Sequence, residues 1–280
     1  MPTIEANGRV LEAREGETLL ATLRRHGLQV PTLCHYEGLP PNGACRLCVV
    51  EVEGLSNLVP ACSYPVSEGL KVQTHSTRAV NARKTIVELL LSNHPDDCLY
   101  CARHGNCQLQ DLSEDLGVRT RRLPGKRRRL PMDISSPSIV RDPDKCILCG
   151  KCVRACEEVQ TVSAIDITGR GSGARVDTAF GEGMNVSSCV NCGQCVMVCP
   201  TGALTERSNI DDVETALRDP EVVVVAQLAP AISVSLAELF GEEPGQDVDG
   251  CLNAVLRRMG FEKVFDTSFS ADLTVMEEGS

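Results

Sequence analysis

Two stretches decide how this chain folds: "CILCGKCVRAC" at residues 146–156 and "CVNCGQCVMVCP" at residues 189–200. Both have the spacing C-x2-C-x2-C-x3-C. In each, three cysteines two residues apart can wrap one cubane, while the fourth crosses to the neighbouring one. The spacing predicts one [4Fe–4S] cluster on Cys146, Cys149, Cys152 and Cys199, and another on Cys156, Cys189, Cys192 and Cys195. Single zinc ions would leave thiolates over in each motif. Two features depart from a small bacterial ferredoxin. Cys156 is followed by Glu157, not proline, and a glycine-rich stretch separates the motifs. Its "GRGSG" lacks the strand–turn–helix context of a dinucleotide site and reads as a flexible loop.

Two further sets precede these. Cys34, Cys45, Cys48 and Cys62 place a close pair, "GACRLC", between two outlying cysteines. Four thiolates suit a [2Fe–2S] centre, and Gly43 and Ala44 let backbone N–H groups turn towards sulfur. A structural zinc site would use two such knuckles, and only one is present. "HPDDCLYCARHGNC" offers Cys98, Cys101 and Cys107, with His94 or His104 as the fourth ligand. Spacing alone leaves open a zinc site of three cysteines and one histidine. Beside other iron–sulfur motifs, a [4Fe–4S] cluster with one imidazole is the better reading. These sets use fifteen of the sixteen cysteines. Cys251 lies beside the apolar stripe Val248, Leu252, Val255 and Met259 and reads as a partly buried thiol.

Composition sets the frame. The chain has 280 residues, no Trp, three Tyr and five Phe, so metal–thiolate bonds must organise small domains that aromatic anchors do not. No secretory leader is visible at the start, and no apolar run approaches the roughly 18–20 residues of a membrane span. A cytoplasmic location with reduced thiols is therefore expected. A net charge of −10 argues against nucleic acid. The one basic run, "RTRRLPGKRRRL", reads first as a solvated linker, then as a docking patch for an acidic partner, and last as an RNA-binding arm.

Local patterns predict the elements. Asn7-Gly8 signals a hairpin, "TLLATLRRHG" a short helix stopped at Gly27, and "CRLCVVEVEG" a strand ending at Gly54. Together they suggest a compact α+β roll. "AVNARKTIVELLLSN" predicts a helix with Ile86, Leu89 and Leu90 on one face. From "DVETALRDPEVVVVAQLAPAISVSLAELFG" onward the pattern is helix, buried strand, helix. In the tail "FSADLTVMEEGS", Leu273, Val275 and Met276 want a core, and Glu277-Glu278 reads as the first turn of a helix.

The sets in this order resemble the amino-terminal region shared by [FeFe] hydrogenases and the large iron–sulfur subunit of respiratory complex I. Beyond residue 205, "VVVVAQLAPAISVSLAELFG" and "LRRMGFEKVFDTSFSADLTVMEEGS" are similar to the start of the hydrogenase catalytic domain. The resemblance implies an α+β chain with a β-grasp [2Fe–2S] domain at 1–78. It implies a helical [4Fe–4S] segment at 79–118, ligated by one histidine and three cysteines. A basic linker at 119–137, a two-cluster ferredoxin-like domain at 138–208 and an α/β remnant of the catalytic domain at 209–280 follow. It implies His94, not His104, as the imidazole ligand, and one [2Fe–2S] and three [4Fe–4S] clusters in total. The family's catalytic motifs, of the TSCCP, PCTAKK and MACxGGC type, do not occur in these residues. The expectation is an electron-transfer subunit of an NAD(P)-linked, flavin-based electron-bifurcating oxidoreductase, with no complete catalytic site, flavin or H-cluster of its own. Implied partners are a flavin- and NAD(P)-binding iron–sulfur subunit, a small [2Fe–2S] subunit and ferredoxin. The alternative expectation is a hydrogenase cut before its catalytic domain.

Overall fold

The computed structural model describes residues 1–120, 122–125 and 129–279. The chain divides into two compact units, residues 1–207 and 208–280.

The first unit begins with the predicted hairpin. Strands β1 (Thr3–Ala6) and β2 (Arg9–Glu12) pair antiparallel across Asn7 and Gly8, whose φ values of 51° and 79° are those of a type I′ turn. The Asn7 side chain also bridges to Thr74, through Nδ2 to Oγ1 at 2.8 Å and from Thr74 N to Oδ1 at 2.9 Å. Helix α1 (Leu19–Arg25) starts where Thr18 Oγ1 accepts from Ala21 N and stops before Gly27, at φ 76°. It buries Leu19, Leu20 and Leu23. Three short strands, β3 (Val49–Val52), β4 (Val59–Pro60) and β5 (Lys71–Gln73), complete a sheet of order β2-β1-β5-β3-β4. Only β1 and β5 run parallel. Strand β3 is shorter than its sequence pattern suggests. Residues 45–48 stay in a loop because Arg46 takes a left-handed φ of 59°.

Glu17 locks the start of α1 to its end. Its carboxylate accepts from Arg25 Nη2 at 2.9 Å, Arg14 N at 3.0 Å and Thr22 Oγ1 at 2.9 Å. The Arg25 hydrogen bond leads in lowering the Glu17 pKa to about 2, against the opposing effect of burial. A depressed acid contributes stability above its unfolded pKa and loses it as pH falls through the folded one. Glu17→Gln should therefore cost about 1 kcal/mol at neutral pH. It should also flatten the fall in stability between roughly pH 4.5 and pH 2. Urea unfolding across that range checks both, and a parallel pH profile for the two proteins would refute the assignment.

Helix α2 (Thr77–Asn93) is capped by Ser76 Oγ, which accepts from Ala79 N. It packs Ile86, Val87, Leu90 and Leu91 inwards, whereas Leu89, expected on that face, is exposed. The inward arc is rotated by about one residue from the expected one, from Ile86 towards Val87. Helix α3 (Gln108–Asp115) adds Leu109 to the same core, which also takes in Leu33, Leu47, Cys34, Cys45 and Cys149. Part of the basic run lies on α2 and is not a free linker. Arg122 pairs with the buried Glu88 at 2.6 Å, and Gly125 runs so close to Ser92 O that a Cβ there would collide. Arg121, Lys126, Arg127 and Arg128, also in that run, lie outside the described residues.

The rest of the first unit is built on the repeat. Strand β6 (Ile139–Arg141) pairs antiparallel with β9 (Leu204–Glu206), flanking two one-turn helices, α4 (Lys151–Arg154) and α5 (Gln194–Met197). The glycine-rich stretch is not a plain loop. Strands β7 (Asp166–Thr168) and β8 (Arg175–Asp177) form a hairpin whose tip is Gly171–Gly173. The core here interleaves Ile139, Ile165, Val176, Met184 and Leu204 with Cys152, Cys195 and Cys199.

The second unit holds α6 (Ile210–Arg218), β10 (Val225–Leu228), α7 (Pro230–Leu239), α8 (Asp249–Met259), β11 (Lys263–Asp266) and α9 (Thr267–Glu278). The two strands pair in parallel. Three expectations are corrected here. Strand β10 is half-exposed, since a two-stranded sheet lacks a second neighbour on either edge. Glu277 and Glu278 end α9 and do not open a new helix, because the helix already starts at Thr267, where Asp266 caps it. Cys251 is exposed on the first turn of α8, and of the expected stripe Val255 and Met259 are exposed while Val248 and Leu252 are half-buried.

Candidate metal centres

The first set converges between the sheet and α2. Cys34, Cys45, Cys48 and Cys62 are all buried. Cys45 N donates to Cys34 Sγ and Leu33 N to Cys45 Sγ, both at 3.4 Å. The left-handed turns at Gly43 and Arg46 present the loop's amides to sulfur. Sharing a proton with Cys34 holds the Cys45 thiol down at about 5 and pushes Cys34 up. Cys62 is likewise held down at about 7 by Cys48, whose own pKa rises. Behind this loop stands Arg83, 2% exposed, which donates to Leu47 O at 3.1 Å and Val49 O at 2.7 Å. Sequence reasoning missed it, because a lone arginine on an amphipathic helix carries no signal of burial.

In the second set, Cys107 lies within electrostatic reach of both Cys98 and Cys101. Burial raises the Cys107 pKa, and the other two cysteines add to it. His94 caps the end of α2 and is 8% exposed, while His104 is exposed. His94 Nδ1 donates to Pro95 O at 3.1 Å, which leaves Nε2 as the ring nitrogen with a lone pair in the neutral tautomer.

The repeat builds the same cradle twice. Leu148 and Asn191 both take left-handed φ values, 55° and 56°, and so do the following Gly150 and Gly193, at 75° and 76°. The turn lets Leu148 N donate to Cys146 Sγ and Asn191 N to Cys189 Sγ, each at 3.4 Å. One cavity is lined by Cys146, Cys149, Cys152 and Cys199, and a separate one by Cys156, Cys189, Cys192 and Cys195. Cys156 sits in a single π-helical turn, Ala155–Val159, where Glu157 replaces the expected proline, and its Sγ accepts from Ala164 N at 3.3 Å. Burial pushes the thiols of Cys149 and Cys195 up to about 12, so a metal entering these cavities must displace their protons. Among the described residues, no three His, Cys, Asp or Glu side chains converge as they would on a single ion. Four sulfurs around one space, with amides directed at them, suit a cluster.

The Cys146 group touches both earlier sets. Asn42 Nδ2, three residues before Cys45, donates to Cys149 O at 3.0 Å. On the other side, Gln108 N donates to Pro200 O at 3.1 Å and Arg103 Nη2 to Cys199 O at 3.0 Å. Gly202 is held so near Cys101 that a Cβ would stand 2.7 Å from its sulfur. Lys145, buried, reaches Asp97 and Asp142 at 3.3 Å each. These polar residues were not legible beforehand, since their partners lie up to 107 positions away.

Cysteine sets of this kind define an iron–sulfur protein, and comparison with known families agrees. Residues 1–77 match a 2Fe-2S iron-sulfur cluster binding domain, and residues 83–122 the NADH-ubiquinone oxidoreductase-G iron-sulfur binding region. Residues 145–203 match a 4Fe-4S dicluster domain, and residues 222–280 the C-terminal domain of the iron only hydrogenase large subunit. The NADP-reducing hydrogenase subunit HndD of Solidesulfovibrio fructosivorans is 47% identical over the whole chain, which spans 49% of that protein. Iron hydrogenase 1 of Clostridium pasteurianum is 34% identical, again over the whole chain and 49% of its own length. A chain in the crystal structure of an NAD+-reducing [NiFe]-hydrogenase superposes with a TM-score of 0.69 at 30% identity, over 74% of this chain and 88% of that one. The chain belongs to the family of hydrogenase-like iron–sulfur subunits. It spans about half or less of the curated relatives it matches.

Proposed function

We propose that this chain is an electron-transfer part of a multi-subunit NAD(P)-linked oxidoreductase, carrying one [2Fe–2S] and three [4Fe–4S] clusters. The ligands would be Cys34, Cys45, Cys48 and Cys62; His94, Cys98, Cys101 and Cys107; Cys146, Cys149, Cys152 and Cys199; and Cys156, Cys189, Cys192 and Cys195. When bound, each cluster takes up and passes on one electron without bonding to substrate. The thiolates fix the positions, and the amides of Leu33, Cys45, Leu148, Ala164 and Asn191 donate to sulfur, stabilising the more negative, reduced state.

The observation that carries this reading is the contact pattern of the Cys146 group. It is tied by hydrogen bonds to the first set and to the second, and its cavity adjoins that of its repeat within one core. Such contiguity suits a conduction path. The partners it fits are a flavin- and NAD(P)-binding iron–sulfur subunit, a small [2Fe–2S] subunit and ferredoxin, in an electron-bifurcating complex of the cytoplasm. Among the described residues no helix is long and apolar enough to cross a membrane. Omitting the chain from the reconstituted complex should abolish NAD(P)-linked ferredoxin reduction, and the purified chain should carry about 14 iron atoms. Unchanged activity, or zinc in place of iron, would refute the proposal.

The match of residues 222–280 to a hydrogenase C-terminal domain favours a second reading, the leading part of an [FeFe] hydrogenase. The mass of the polypeptide isolated from its source separates the two.

A further inference from the structure

The two repeat cavities share a motif but not their walls. The one lined by Cys156, Cys189, Cys192 and Cys195 is otherwise closed by aliphatic side chains, Met184 and Gln194, with no cationic residue among its described lining. The one lined by Cys146, Cys149, Cys152 and Cys199 has Arg141 in its wall. Arg141 is 7% exposed, at the end of β6. Both of its outer nitrogens are engaged. Nη1 donates to Asp177 Oδ1 at 2.7 Å and to Val176 O at 2.8 Å, and Nη2 to Asp133 Oδ2 at 3.3 Å. Its Nε is buried and has no hydrogen-bond partner among the described residues. A buried donor left so forfeits its solvation with no return, unless an acceptor beside it completes the site.

Asp133 and Asp177 hold that guanidinium rigidly. Burial opposes their ionisation, but hydrogen bonds outweigh it and keep both pKa values below the usual carboxylate range. For Asp133 these come from Ser135, Met184 N and Arg141, and for Asp177 from Arg175, Arg141 and Thr178 N. The two carboxylates also offset the arginine's charge. What Arg141 offers the cavity is therefore a fixed N–H more than a net positive charge.

We infer that Arg141 Nε–H donates to a sulfur of the cluster held by Cys146, Cys149, Cys152 and Cys199, and sets its reduction potential above that of its repeat partner. This rests on the cluster ligation proposed above. An electron added to the cluster increases negative charge on its sulfurs, so a fixed donor favours the reduced form. The guanidinium keeps its proton throughout, and no bond is made or broken.

The test is an anaerobic redox titration of the full chain, loaded with iron and sulfide, followed by electron paramagnetic resonance. Wild type is compared with Arg141→Lys and Arg141→Met. Both variants should lower the potential of one cubane at least tenfold in reduced-to-oxidised ratio, about 59 mV for one electron. The other centres should stay fixed. Unshifted potentials with intact signals in both variants, or a shift in Arg141→Met alone, would overturn the donor assignment. Absence of any cluster signal in wild type would instead overturn the ligation on which it rests. If neither variant folds, Arg103→Lys protein with Arg141 intact, labelled with 15N at arginine Nε, decides. A nitrogen hyperfine coupling on a reduced cubane supports the inference, and none refutes it.

Discussion

Cys199→Ser should destroy the cluster built on Cys146, Cys149 and Cys152, and leave the one built on Cys189, Cys192 and Cys195 intact. Nothing in linear order suggests this, for Cys199 is four residues from Cys195 and 47 from Cys152. Space reverses the relation. Cys199 lines the cavity of the first motif and not that of its own. The short helix α5 ends at Met197, and Val198 and Cys199 then turn across to β6, where Ala203 O accepts from Asp142 N. A serine keeps the volume but is a poor ligand for iron. The expected spectrum lacks one cubane signal, or shows a three-iron remnant in its place, with iron content lower by about one to four atoms. Damage confined to the Cys189 cluster would refute the crossover.

His94→Cys is the other substitution with a large expected effect. A neutral imidazole replaced by an anionic thiolate adds a negative charge to the cluster's ligand shell and disfavours reduction. By comparison with His-ligated two-iron centres, the potential should fall on the order of 100 mV. His94 lies at the end of α2, where the change gives up its Nδ1–H···O bond to Pro95 and leaves the helix itself in place. The other three centres should titrate as before. An unshifted centre would move the imidazole ligand to His104, which is exposed, or remove it altogether.

Much of this was legible in the residues. Asn7-Gly8, the Gly27 stop of α1 and the doubled cysteine motif act locally, so their outcome is written in neighbouring positions. Leu89 and strand β10 were misread because burial depends on what packs opposite, and periodicity alone cannot supply that. Arg83 and Arg141 escaped notice for a related reason. A charged side chain is assigned to solvent unless its partners are known, and those partners are backbone carbonyls and carboxylates distant in sequence. The hairpin within the glycine-rich stretch was hidden by Gly171 and Gly173, which dominate its composition but occupy only its tip.

Pro200 has a bearing on how far such proteins can be taken apart. Its carbonyl is where the segment carrying Cys107 is fastened, through Gln108 N, and the neighbouring Cys199 carbonyl receives Arg103. The family matches divide the chain at about residues 122 and 145, as if the parts were interchangeable cassettes. They are not. A chimaera that imports residues 145–203 from a relative inherits one half of each of these fastenings. It will house the second cysteine set only if the imported backbone returns the Cys199 and Pro200 carbonyls to the host's Arg103 side chain and Gln108 N, so the unit of exchange is the span from α2 to β9.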